Sequence, residues 1–343
     1  MIARMASNRF SENEFTQMLG VRLPIIMAPM FLVSNEKMLE EAMKAGVMGV
    51  FPSLNFREPG MLDQLLFRLN AFKSNQQVSG SYGVNLIVQQ TNTLYRSHLD
   101  VCVAAQVPFY ITSLGNPKEV IERAHSYGAK VYCDVTNLTH ARKCASLGCD
   151  GFIAVGQGAG GHAGPHPLSV LVPALRRDFP KIPVIAAGGI STGDGIVSAL
   201  ALGAAGASIG TLFIASKEAS VGDAYKNAVV DAGMDDIVMT ERLSGTPCSI
   251  IETPYSKRIG YSQNAFERLL SRSSITKRYF KALVHLRGLK MLERAVKPGN
   301  YQNLWCAGKS AELINEVKSV AEIVSDLEVE MSDGFARLQK VFK

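Results

Sequence analysis

The amino-acid sequence predicts an α/β chain folded as a (β/α)8 TIM barrel with a mainly helical insertion after the eighth strand. Three observations carry that reading. Short, unbroken apolar runs alternate with stretches of helical period, the pattern of parallel strands buried on both faces and their crossover helices. Eight such units fit into about 215 residues, a typical density for a closed barrel. The first run ends in Ala28-Pro29-Met30 and lacks the G-x-G-x-x-G turn of an open dinucleotide-binding sheet.

Taken in order, the strand candidates are Ile25–Ala28, Val47–Phe51, Tyr82–Val88, Phe109–Thr112, Lys130–Val135, Gly151–Val155, Val184–Ala187 and Ala207–Gly210. The helix candidates between them are Glu36–Ala45, Met61–Lys73, Thr93–Ala105, Pro117–Tyr127, Leu138–Leu147, Leu168–Phe179 and Gly193–Leu202. Pro117 suits a first helical position, with Asn116 before it as a cap. Gly46, Gly128, Gly148 and Gly203 each follow a helix, where a left-handed residue closes the last turn. These units define a barrel over residues 1–218. An insertion over 219–307 reads as mainly helical, with a turn-rich centre at Ser244-Gly245-Thr246-Pro247. Residues 308–343 close the ring, with Ser310–Asp326 as the last outer helix.

Composition excludes several classes. Hydrophobic residues make up 47% of the chain and charged residues 19%, which suits a buried globular core and not a disordered chain. The net charge of +6 is local: residues 257–297 hold eleven Lys/Arg against two acids, so the remainder is slightly acidic. That segment has few aromatics, Tyr261, Phe266, Tyr279 and Phe280, and carries no recognition motif, so no nucleic-acid partner is expected. Six cysteines show no C-x-x-C spacing, and no signal-peptide core precedes the first strand; both fit a cytoplasmic protein with reduced thiols and no metal. The charge-free stretch 195–216 is long enough to cross a bilayer. Its four glycines and its change of period divide it into a helix and a strand, and no membrane span is expected.

Barrel enzymes carry their reacting groups at the carboxyl ends of the strands, and three ends stand out. The seventh strand runs into Gly188-Gly189, and the eighth into Ser208-Ile209-Gly210-Thr211. Glycines there let backbone N–H groups reach an anion, and the helix that follows the seventh strand adds its dipole. The sixth strand ends in Gly156-Gln157-Gly158-Ala159-Gly160-Gly161-His162-Ala163-Gly164, four glycines before one imidazole at the loop tip. Histidine is the side chain best suited to exchange a proton near neutral pH. His166 lines the same loop; His98, His125, His140 and His285 fall in helical segments and read as structural.

The motifs IIMAPM, YGVNL, GAGGHAG, IPVIAAGGI and SIGTLF, in this order and spacing, resemble the nitronate monooxygenase family, formerly 2-nitropropane dioxygenases, over about residues 20–255. FMN-type enoyl-acyl carrier protein reductases and NAD(P)H:quinone reductases share most of these motifs. The resemblance implies FMN as cofactor. Ala28, Pro29 and Met30 would lie along the isoalloxazine ring, and Asn85 would hydrogen-bond it. Gly160 and Gly161 would pack beside it, Gly188, Gly189, Gly210 and Thr211 would hold the phosphate, and His162 would be the catalytic histidine. The sequence departs from the family at Gly158, often Glu; at Val155, often Gln; at Ser208, often Gln; and at Asp134, where relatives have Lys or an apolar residue. A carboxylate at Asp134 would bond ribityl hydroxyls or His162 and repel phosphate, and Asp134 and Ser208 join the cofactor-binding set.

The activity implied is oxidation by O2 of an alkyl nitronate, such as propionate 3-nitronate, to a carbonyl compound and nitrite. The alternative is a reductase taking hydride from NAD(P)H for an enoyl thioester or quinone, with the basic segment docking an acidic carrier. A barrel that binds a ligand without catalysis is a third reading. The oligomeric state stays open, a homodimer among the options.

Overall fold

The computed structural model describes residues 13–89, 91–241, 247–262 and 304–341. Eight parallel strands close into a barrel in the order β1 (Ile25–Met27), β2 (Met48–Pro52), β3 (Ser81–Ile87), β4 (Phe109–Ser113), β5 (Lys130–Val135), β6 (Gly151–Val155), β8 (Val184–Ala187) and β9 (Gly206–Ile209). The last strand returns to the first through Ile26↔Ser208 and Met27↔Ile209. Between the strands run α2 (Glu36–Ala45), α3 (Met61–Asn75), α4 (Tyr95–Ala104), α5 (Lys118–His125), α6 (Leu138–Ser146), α7 (Leu168–Asp178) and α8 (Gly193–Ala201). The predicted barrel is thus observed, with β5, β6, β8 and α2 at the predicted bounds. The four post-helix glycines all take left-handed φ, from 83° to 98°. Pro117 lies one residue before α5, and Asn116 accepts the Lys118 N–H at 3.2 Å.

Side chains divide by strand parity into two layers. Ile26, Met48, Val50, Phe109, Ile111, Tyr132, Ile153 and Ile185 fill the barrel interior. Phe15 of α1 (Glu14–Leu19) plugs its amino end, with its ring centroid 6.2 Å from that of Tyr132. The alternate residues, such as Val84, Tyr110, Val131, Phe152 and Ala186, pack outward against the helices. The interior is therefore filled along its length, and the mouth at the carboxyl ends begins above the last packed inward-facing residue of each strand.

The stretch 195–216, flagged for its lack of charge, folds as most of α8, then β9 and the short α9 (Thr211–Ile214). Among the described residues no helix is long and apolar enough to cross a membrane.

One expectation needs correction. The last outer helix does not span Ser310–Asp326. Lys309–Leu313 is a 3-10 turn, and the helix, α12, runs over Val320–Val341. It buries Val320, Ile323, Val324, Leu327 and Met331 against α8 and α2, bridging the last and first units of the ring. The described part of the insertion combines helices with a small sheet. Besides α10 (Asp223–Asp231) and α11 (Pro254–Ile259), it contributes β10 (Ile237–Thr240) and β11 (Cys248–Ile251). These pair antiparallel, and β11 pairs in turn with a two-residue strand, β7 (Gly161–His162), from the loop after β6. Residues 244–246 and 263–303, and with them most of the basic segment and His285, lie outside the described residues. Of that segment's first residues, Lys257 pairs with Glu252 at 2.7 Å and Arg258 stacks over Tyr255.

The dipole expected of α8 toward a ligand is also redirected. Its first amide, Gly193 N–H, donates to Glu330 Oε2 of α12 at 2.6 Å, and Asp194 pairs with Arg337 of the same helix. The carboxylate of α12 thus occupies the anion position at the helix start. Replacing it, Glu330→Ala, is expected to destabilise the fold by about 1 kcal/mol, as loss of a cap does; thermal melts of the two proteins check this.

Candidate active site

Extending the inward parity by one step past the packed interior gives the floor of the mouth. It consists of Ala28 after β1, Pro52, Asn85, Ser113, Asp134, Val155, Ala187 and Ser208. The floor has two halves. Across β3, β4 and β5 it is polar and internally bonded. Asn85 Nδ2 donates to Ile111 O at 3.1 Å and to Ser113 Oγ at 2.8 Å, and Ser113 Oγ donates to Asp134 Oδ2 at 2.5 Å. Burial pushes the Asp134 carboxyl up to about 6, against the opposing pull of the Ser113 hydroxyl. Across β6, β8, β9 and β1 the residues are small or apolar, which leaves room for a flat group.

Above that second half, backbone meets backbone. A Cβ on Gly188 would stand 2.6 Å from Ala159 N, and one on Gly158 would stand 2.9 Å from Gly189 Cα, so the loops after β6 and β8 are packed face to face. A Cβ on Gly160 would meet Gly308 N at 2.7 Å, and Gly308 N–H donates to Thr211 Oγ1 at 3.0 Å. The 307–308 strap thereby joins the β6 loop to the start of α9. On the other side Gly210 faces Ala28 Cβ at 3.6 Å and Met30 Cγ at 3.9 Å. Met30 is held by its N–H to Ser34 Oγ at 3.0 Å, with its carbonyl accepting from Asn55 Nδ2 at 3.3 Å. Pro29, between them, is half-buried.

His162 is placed differently from the loop tip that its sequence suggests. It is exposed, but its backbone belongs to β7, with His162 opposite Cys248 and Gly161 opposite Ser249 of β11. The loop beneath is folded back on itself: Gln157 N–H donates to His166 O at 2.9 Å and Gly164 N–H to Gly156 O at 3.2 Å. His166 contributes that carbonyl while its side chain is exposed. His98 is buried in α4, His125 pairs with Asp150, and His140, exposed on α6, lies 3.3 Å from Thr136 Oγ1.

The structure thus gathers Ala28, Met30, Gly160, Gly188, Gly189, Gly210 and Thr211 around one space, and sets Asn85, Asp134 and Ser208 in its floor. Sequence reasoning missed Ser113, Ala307 and Gly308. Strand parity was the available signal for Ser113, two residues beyond the buried Ile111; nothing local marks a strap about a hundred residues from Thr211.

One observation tests whether a nucleotide's phosphate fits. Among the described residues, the amides of Gly188, Gly189, Gly210 and Thr211 donate to no protein acceptor, although Thr211 is buried and Gly188 and Gly210 are half-buried. Buried backbone donors are almost always paired, so this group of N–H groups is suited to an anion supplied by a ligand. The Asp134 carboxylate stands in the other half of the floor, away from these donors in the order of the strands.

A barrel whose mouth combines glycine-lined amides with a histidine-bearing loop has the frame of an enzyme that binds an anionic ligand, and the comparisons give its family. The chain belongs to the nitronate monooxygenase family, whose model matches residues 58–330; the enzyme is an oxidoreductase. It is 26% identical to the (3aS,4S,5R,7aS)-5-hydroxy-7a-methyl-1-oxo-octahydro-1H-indene-4-carboxyl-CoA dehydrogenase of Mycobacterium tuberculosis, covering 94% of this chain and 96% of that one. With a protein of Staphylococcus aureus named as a probable nitronate monooxygenase it shares 28% identity over 69% of this chain and 77% of the other. The structure of FabK from Thermotoga maritima superposes with a TM-score of 0.81 at 29% identity, over 96% of this chain and 99% of that one.

Proposed function

We propose that the enzyme binds FMN and oxidises alkyl nitronates with O2, giving a carbonyl compound and nitrite. The observation that carries the reading is the set of four unpaired amides after β8 and β9, with the β8 loop packed against the β6 loop that runs on into His162. Gly188, Gly189, Gly210 and Thr211 hold the phosphate. Ala28, Pro29 and Met30 flank the ring, Gly160 and Gly161 pack beside it, and Asn85, Asp134 and Ser208 bond its polar edges from the floor. Bound FMN supplies the electron transfer between substrate and O2. His162, exposed at the rim, hydrogen-bonds the nitro oxygens as charge leaves the carbon, or removes the α-proton where a neutral nitroalkane enters. The partners are a small anionic substrate and O2.

A second reading, an NAD(P)H-dependent FMN reductase of enoyl thioesters or quinones, is favoured by one fact. The relative that aligns over nearly the whole of both chains is named for a coenzyme A thioester, whereas the nitronate relative aligns over about two thirds of this chain. Anaerobic mixing of the FMN-loaded enzyme with propionate 3-nitronate, NADH or NADPH separates the two. Loss of flavin colour with nitronate and not with either nucleotide is the expected result. Rapid bleaching by NADH or NADPH, with nitronate inert, establishes the reductase instead.

A further inference from the structure

The polar half of the floor contains an ordered hydrogen-bond chain whose direction is fixed at both ends. At one end stands the Ile111 carbonyl, which can only accept, so the Asn85 atom 3.1 Å from it is the amide nitrogen. At the other end is the Asp134 carboxylate, which when ionised also only accepts, so the Ser113 hydroxyl donates to it and must accept from Asn85. Both amide hydrogens of Asn85 are then used within the barrel wall. Its Oδ1 has no partner among the described residues, yet it is not one of the side-chain atoms sealed from solvent without a partner. Because Asn85 faces inward at the top of β3, that oxygen opens on the mouth.

We propose that Asp134 is a positioning residue: through Ser113 it locks Asn85 with its amide oxygen presented to the mouth, so that this corner of the site accepts an N–H from the bound ring and rejects a carbonyl. This rests on the flavin reading above, and it deepens that reading by stating which edge of the ring the corner selects. The oxidised isoalloxazine carries one ring N–H, on its imide, between two carbonyls. A lone acceptor facing it distinguishes the imide nitrogen from its neighbours, because the wrong register sets oxygen against oxygen.

The chain also makes the corner sensitive to protonation. A protonated Asp134 can donate to Ser113, which then turns its own hydrogen toward Asn85. The amide must flip to accept it, and the flip leaves Oδ1 against the Ile111 carbonyl. Ionised Asp134 is therefore the form that keeps the acceptor pointing outward. Few other groups act on this carboxyl. β4 presents Ser113 and β6 the apolar Val155. α5 turns Val120, Ile121 and Ala124 toward β5 and its charges toward solvent. α6 brings the Cys144 thiol, whose proton is held by its hydrogen bond with Cys133 and by burial, and the exposed His140; His162 and His166 belong to the loop above β6. Among the described residues the shift of Asp134 comes from burial and Ser113 alone, which sets the transition near pH 6.

The test uses apoprotein reconstituted with FMN, reading the dissociation constant by flavin fluorescence and the visible flavin spectrum from pH 5 to 8. Wild type is expected to show a spectral transition centred near 6, with tighter FMN binding on its alkaline side. Ser113→Ala and Asp134→Asn are each expected to weaken FMN binding about tenfold at pH 7.5, the loss of one oriented hydrogen bond, and the transition is expected to vanish in Asp134→Asn. Circular dichroism of the apoproteins confirms that both variants fold. Wild-type uptake of FMN together with variants that bind within twofold of it, or a transition that persists in Asp134→Asn, overturns the relay. Failure of wild type to take up FMN overturns the flavin reading itself, and the relay with it.

Discussion

His162→Ala is expected to lower nitrite release from propionate 3-nitronate by about 10²–10⁴-fold, the usual contribution of a well-placed proton-transfer or charge-stabilising side chain, while FMN content and fold persist. The structural reason for expecting so clean a loss is that the site and the fold use different parts of this residue. Its backbone is held by pairing with Cys248, which alanine retains, and its side chain is exposed and fills no core position. A surface substitution of this kind changes stability by about 0.5 kcal/mol or less. His162→Gln separates the two roles that the imidazole can play. A glutamine can still donate a hydrogen bond to nitro oxygens but cannot abstract a proton. Nitronate turnover should therefore survive in part in His162→Gln, while turnover of the neutral nitroalkane should fall to the level of His162→Ala. Nitrite formation within fivefold of wild type in His162→Ala, at full FMN content, removes the histidine from the mechanism.

How much of this is legible in the sequence depends on the range of the interactions involved. A parallel strand covered on both faces writes a continuous apolar run, so Lys130–Val135, Gly151–Val155 and Val184–Ala187 were found at their observed bounds. The glycine turns after β6, β8 and β9 were legible for a similar reason, since each is contiguous in sequence. What escaped depends on distant partners. β7 is only two residues long and exists because β11, some 85 residues later, pairs with it; no periodicity can show that. In sequence the N-terminus of α8 reads as available to a ligand; Glu330, on a helix more than 130 residues away, occupies it. The error in α12 was different. Its buried positions 320, 323, 324, 327 and 331 continue a helical period past Asp326, and the pattern could have been followed further. In sequence Asp134 stands out only as a departure from the family pattern. Its partner Ser113 turns it from an oddity into one end of an ordered chain, and that required the register of β3, β4 and β5.

Gly188→Ala is expected to destabilise the protein by about 2–4 kcal/mol and to abolish tight FMN binding, and the two effects share one cause. At φ +108° the backbone lies outside the region that L-residues tolerate, which alone costs of order 1–3 kcal/mol. The added methyl also has nowhere to go: it would stand 2.6, 2.8 and 2.9 Å from the nitrogen, Cα and Cβ of Ala159. Relief requires the β8 loop to move away from the β6 loop, which misaligns the amides of Gly188 and Gly189 and shifts Gly160 and Gly161 on the same stretch. A control isolates backbone strain from this wedge. Gly128, at the amino end of β5, has a comparable φ of +87° with nothing within 4 Å of its would-be Cβ. Gly128→Ala should lower the melting temperature through strain alone and leave the FMN dissociation constant within twofold of wild type. Gly188→Ala should lose both stability and cofactor. If it retains wild-type affinity for FMN, the contact between the two loops is only packing, and the phosphate seat must be sought elsewhere on the barrel.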